Sequence, residues 1–96
     1  MTAKNALWFN WAMDREEIRG VVRAAVVRLL AEQDVTDEID DRTALFTSGL
    51  LDSMSMLRLV ATLERSLSIA ISPAEITVDG FDTLDGICAA VLSSMR

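Results

Sequence analysis

Apolar residues recur at helical spacing in three separate stretches of this chain. Ile18, Val22, Ala25, Val26, Leu29 and Leu30 make the first stripe, Met56, Leu59, Val60, Leu63 and Leu67 the second, and Leu84, Ile87, Cys88, Val91 and Leu92 the third. Each returns to one face every three or four residues, the pattern of a helix half-sunk in a core. Asp14 is placed to cap the first helix, and Glu17 three positions on completes a capping box. Arg15, Arg19 and Arg23 share the opposite face, which reads as a solvated side. The second helix starts at Asp52 or Ser53 and runs to about Leu67, and Thr83 caps the last one. Between them Ser72-Pro73-Ala74-Glu75 is a second capping-box signature with proline at the favoured first position. The helix it introduces must be short, because Thr77-Val78-Asp79-Gly80 interrupts the pattern. Leu67, Ile69 and Ile71 alternate like a strand, but a lone strand has nothing to pair with. The spacing predicts an all-α bundle of three longer helices and one short helix.

Two stretches fall outside the stripes. In residues 1–12 Trp8, Phe9 and Trp11 crowd together without a long period, which reads as an N-terminal extension ahead of a domain at 13–96. A loosely docked tail and a partner-binding aromatic anchor are both compatible with it. From Asp34 to Asp41 the chain turns acidic, with Asp34, Asp37, Glu38, Asp40 and Asp41 inviting a calcium-loop reading. That reading fails: counting from Asp34, the sixth position is Ile39 and not glycine, and the twelfth is Leu45 and not glutamate. The segment is a solvated loop, and Leu45 and Phe46 are placed to plug it into the core, since long unanchored loops are uncommon in compact domains.

Composition narrows the function more than the fold. At 96 residues the chain makes one core but no deep enclosed active site. A net charge of -6 argues against nucleic acid, whose phosphates would be repelled. No apolar run approaches a membrane span, the start lacks a secretory signal, and the single cysteine fits a reducing compartment. Cytoplasmic residence is the expectation. Without histidine there is no Ser-His-Asp triad and no His-based zinc site. The four glycines at 20, 49, 80 and 86 are too scattered for a phosphate loop. Cys88 lies on an apolar stripe and reads as a core residue. No catalytic or metal-ligating residue is expected.

One hexapeptide stands out chemically: Gly49-Leu50-Leu51-Asp52-Ser53-Met54. Gly49 permits a sharp turn, Leu50 or Leu51 can anchor it inward, and Asp52 is suited to cap the following helix. Ser53 then occupies the first helical position, beside unpaired amides and the positive end of the helix dipole, a favourable place for a phosphate. A serine without a base to activate it is better suited to being modified than to attacking a substrate. Asp-Ser at a helix start is also ordinary capping chemistry, so cap and attachment point both stand on these residues alone.

The Asp52-Ser53-Met54 tripeptide, the long helix from Met54 to Leu67 and Ile69-Ala-Ile-Ser-Pro leading into a short helix together resemble the acyl and peptidyl carrier protein family, over roughly residues 14 to 95. Phe46 followed by Gly49-Leu-Leu-Asp-Ser is particularly similar to its discrete D-alanyl and aminoacyl carriers. The resemblance implies an acyl-carrier-protein-like four-helix bundle with no catalysis of its own. It implies 4'-phosphopantetheine, moved from coenzyme A onto Ser53 by a phosphopantetheinyl transferase, with the arm's thiol holding an acyl group as a thioester. The partners implied are that transferase, an acyl- or aminoacyl-loading ligase, and an acyltransferase or synthase, with the carrier itself a monomer.

Two departures qualify the resemblance. Met54 replaces the usual leucine, a nearly volume-conserving change. The exposed face of the second helix would carry Met54, Arg58, Ala61 and Arg65, where fatty-acid carriers generally display acids. Met54, Arg58 and Arg65 are therefore candidate partner-docking residues, against the alternative that both arginines are merely solvated. Leu57, Ile76 and Val78 are candidates to line an acyl groove. The leading expectation is a stand-alone carrier, of an aminoacyl group for preference, in polyketide or nonribosomal-type biosynthesis. Arginine outnumbers lysine eight to one, which tilts away from the alternative of a D-alanyl carrier for cell-wall polymers. An unmodified helical adaptor is the alternative of a different class.

Overall fold

The computed structural model describes residues 14–36 and 38–95. The Trp8, Phe9 and Trp11 cluster lies outside the described residues. Four α-helices follow in order: α1 (Arg15–Glu32), α2 (Ser53–Leu67), α3 (Val78–Phe81) and α4 (Leu84–Ser94), with a 3-10 turn at Pro73–Glu75. Among the described residues there is no strand, and no helix is long and apolar enough to cross a membrane. The fold is the all-helical bundle that the apolar spacing predicts.

The helices form where their caps and stripes dictate. Asp14 accepts the Glu17 amide at 2.9 Å, and the Glu17 side chain accepts the Asp14 amide in return. Every residue of the α1 stripe is buried, as is the whole α2 stripe. On α4, Leu84, Ile87, Cys88 and Val91 are buried and Leu92 packs at the core edge. Burying one such aliphatic side chain contributes roughly 1.5–3 kcal/mol, so three coincident stripes supply the main drive to fold. α1 packs against both α2 and α4, and α3 packs on α4. Burial pushes the Cys88 thiol above its ordinary pKa, which keeps it protonated and inert.

Three local expectations need correction. Pro73 does not open the short helix: Pro73–Glu75 is one 3-10 turn, and among the described residues the Ser72 hydroxyl accepts from the Ala74 amide while the Glu75 side chain returns no bond to the Ser72 amide. The short helix is α3, and Thr77-Val78-Asp79-Gly80 starts it, because the Thr77 hydroxyl accepts the Gly80 amide at 2.9 Å as an N-cap. α3 brings in Phe81, fully buried and outside all three stripes. Its approach to α4 depends on glycine, since a Cβ at Gly86 would collide with the Gly80 carbonyl. Two of the three α1 arginines, Arg19 and Arg23, are not simply solvated either. Arg19 reaches Asp85 at 2.8 Å and Asp41 at 3.1 Å, and Arg23 donates to the Ile39 carbonyl at 3.0 Å.

The α1–α2 connection is fastened at both ends. Ile39 and Leu45 are buried and Phe46 packs against the core, so the acidic stretch rides on apolar anchors. After α2 the chain reverses at Ser68, in the left-handed region at φ 55, and Glu64 accepts the Ile71 amide at 2.8 Å to hold the exit.

Candidate functional site

Ser53 is the first residue of α2, and its side chain is exposed. Asp52, the residue before it, is the N-cap with extended backbone (φ -108), and its carboxylate accepts the Ser55 amide at 2.9 Å. That amide, and then the Ser55 hydroxyl, hold the Asp52 carboxyl below its ordinary value of 3.8. Ser55 is itself buried and its hydroxyl accepts from Gln33 at the end of α1. The start of α2 is thereby tied to the end of α1, while the Ser53 hydroxyl makes no hydrogen bond among the described residues. An unengaged hydroxyl on a rigid base is the arrangement a modifying enzyme can reach.

The loop leading to Ser53 is set by residues that spacing alone did not single out. Asp82, between α3 and α4, accepts the Phe46 amide at 2.8 Å, the Thr47 amide at 3.0 Å and the Thr47 hydroxyl at 2.7 Å. Its own carbonyl accepts the Leu45 amide at 2.7 Å. These bonds, with the Thr47 amide foremost, hold the Asp82 carboxyl below its ordinary range. From this anchor the chain turns at Gly49, whose φ of +88 lies in the left-handed region open to glycine. It then returns through the Leu51 amide to the Leu45 carbonyl at 2.8 Å. Leu51 is buried and Leu50 packs at the core edge, so both leucines anchor the turn. Asp82 lies 29 residues beyond Ser53 in the sequence. The signal that could have found it is an acid directly before the helix cap Thr83.

Of the residues singled out for docking, Met54 is 67% exposed and Arg58 and Arg65 are exposed on the same helix. Arg58 is not free: it pairs with Glu32 of α1 at 2.6 Å. Arg65 has no ion pair among the described residues. Leu57 and Val78, candidates for an acyl groove, are instead 62% and 46% exposed, and Ile76 is half-buried. Leu57 and Val78 are exposed apolar surface and do not line an enclosed space. The described residues hold no group of acids and cysteine arranged to take a metal ion.

A phosphodiester at Ser53 suits this geometry. The oxygen is exposed, a 15-residue helix turns its positive end toward it, and the adjacent Asp52 charge is already engaged by Ser55.

The family described as "Phosphopantetheine attachment site" matches residues 20–91. A D-alanyl carrier protein of Leuconostoc citreum (strain KM20) is 34% identical over 68 residues, covering 71% of this chain and 85% of the relative. D-alanyl carrier proteins of Streptococcus sanguinis (strain SK36) and Streptococcus gordonii are 32% and 33% identical, each over 73% of this chain and 90% of the relative. No solved structure is significantly similar. With the family matched across most of its length, this chain belongs to the carrier proteins that bear a phosphopantetheine attachment site.

Proposed function

We propose that the protein is an aminoacyl carrier with its arm on Ser53, and that D-alanine is its cargo. Membership in the family brings a covalent 4'-phosphopantetheine arm, a transferase that attaches it, and enzymes that load and unload it. The attached arm supplies a thiol that holds an acyl group as a thioester. The observation that carries Ser53 as its site is the exposed hydroxyl at the head of α2, in a chain without histidine. The role of the protein's own residues is to present: Asp52 fixes the first turn, Asp82 fixes the loop, and Ser53 stays accessible. A substrate tethered there is delivered to a docked enzyme at high effective concentration.

The relatives, each a D-alanyl carrier protein, favour this cargo over polyketide or nonribosomal intermediates. The excess of arginine over lysine is a property of overall composition and has no bearing on chemistry at the arm. Met54, with Leu57 one turn further along, offers apolar surface next to Ser53, and Arg58 and Arg65 continue the same helix. These residues form the docking face for the loading enzyme in this reading.

Loading tests the cargo. Holo protein is incubated with ATP and an adenylating ligase for D-alanine, and in parallel with ligases for other amino acids, and followed by intact mass. D-alanyl transfer at a rate above the other amino acids is the expected result. Loading by another ligase with none by the D-alanine enzyme would move the protein to a specialised biosynthetic pathway.

A further inference from the structure

A cleft of about 300 Å³ runs between α1 and α2, with Arg28, Glu32, Arg58, Thr62, Arg65 and Ser66 in its lining. Its charge is opposite to that of the whole molecule. Fifteen acids against nine bases give the chain -6, yet here three arginines face one glutamate. The described arginines elsewhere include Arg19 on two carboxylates and Arg23 on a carbonyl. In the cleft a single carboxylate is shared: Glu32 meets Arg58 at 2.6 Å and Arg28 at 3.8 Å. Arg65 and the Thr62 and Ser66 hydroxyls have no partner among the described residues.

We propose that this cleft receives an acidic helical segment of the partner protein that works on Ser53. The proposal rests on the carrier reading only for that partner's identity. Glu32 shows which chemistry the site accepts, since it already holds a carboxylate between the two helices. Arg58 and Arg65 lie two turns apart on α2, about 10 Å along the axis, so carboxylates two turns apart on an incoming helix match them. The net negative field around the rest of the protein repels an extended acidic surface. The acids must therefore be confined to one segment, which fixes the docking register along α2, the helix that Ser53 opens.

Charge reversal gives opposite signs on the two sides of the cleft. The probe is a stapled helical peptide bearing two glutamates two turns apart, titrated into isotopically labelled Ser53→Ala protein, with a glutamine peptide as control. No arm is needed, so failure to attach one would leave this result unaffected. Shifts confined to the cleft are expected, with binding weakened as salt rises. The double variant R28E/R65E should weaken it about tenfold or more, since each reversal removes one attraction and adds one repulsion. Glu32→Gln should tighten binding by about two- to fivefold, because it releases Arg58 and Arg28 to the peptide. A role of Glu32 in stability alone would not tighten binding. Equal binding of the glutamine peptide, shifts spread equally to Arg15 and Arg42, self-association of the protein through the cleft, or unchanged affinity in R28E/R65E would each overturn the proposal.

Discussion

The Asp82 carboxylate holds Thr47 twice, accepting its amide at 3.0 Å and its hydroxyl at 2.7 Å, and so ties the start of α4 to the loop that delivers Ser53. Truncation to Asp82→Ala orphans the Phe46 and Thr47 amides together. A loss of about 1–2 kcal/mol is expected, because each hydrogen bond is worth about 1 kcal/mol net and water reaches this site in part. Attachment of phosphopantetheine should slow as the loop loosens. Asp82→Asn keeps an acceptor oxygen for the two amides and should recover most of both losses. Thermal denaturation with a timed transferase assay reads them, and a wild-type midpoint in Asp82→Ala would remove Asp82 as the anchor.

Acid should act through the same group. Asp40, Asp52 and Asp82 are each held below the ordinary 3.8 by amides or hydroxyls that they accept. A carboxyl more acidic in the folded than in the unfolded chain contributes its stability above the unfolded value, where both forms are ionised. That contribution drains as pH falls through the lowered folded value. Stability is expected to be level near neutrality and to fall below about pH 4. Urea denaturation across pH should show a shallower acid limb for Asp82→Asn, and an unaltered limb would speak against its part.

The three long helices and the exposed serine at the head of α2 are legible because each is written locally. A stripe, a cap and a hexapeptide all lie within a few turns of chain, and Ser53–Leu67 begins and ends where the spacing placed it. Contacts distant in sequence were not legible. Asp82 reads as one acid among many until folding brings it to Phe46 and Thr47, and Arg19 reads as solvated until Asp41 and Asp85 arrive. α3 is not legible in the sequence because proline at Pro73 is a stronger helix-start signal than Thr77, and a single turn carries no period. Glu32 and Arg58 belong to different helices, so the charge sharing that defines the cleft has no sequence signature.

Gly86 tests the packing of α3. An added methyl would strike the Gly80 carbonyl, which is backbone and can yield only if α3 moves. Gly86→Ala is expected to cost about 1–3 kcal/mol through overpacking, although alanine favours the helix intrinsically. Phe81→Ala, which empties the fully buried site on the same element, should cost about 3–5 kcal/mol. Chemical denaturation of both variants is the check, and a stabilised Gly86→Ala would show that α3 does not sit against α4 in this way.

Met54 separates docking from folding. Its side chain is 67% exposed, so Met54→Glu should leave the free energy of unfolding within about 0.5 kcal/mol of wild type. Loading by the cognate ligase should nevertheless show a raised KM for the carrier. An unchanged KM would take Met54 out of the docking face.

Attachment at Ser53 is most directly tested by intact mass after incubation with coenzyme A and a broad-specificity phosphopantetheinyl transferase. Wild-type protein should gain one phosphopantetheine, Ser53→Ala none, and fragmentation should place the added mass on Ser53. Modification of Ser53→Ala, or wild-type protein left unmodified by several transferases, would contradict it.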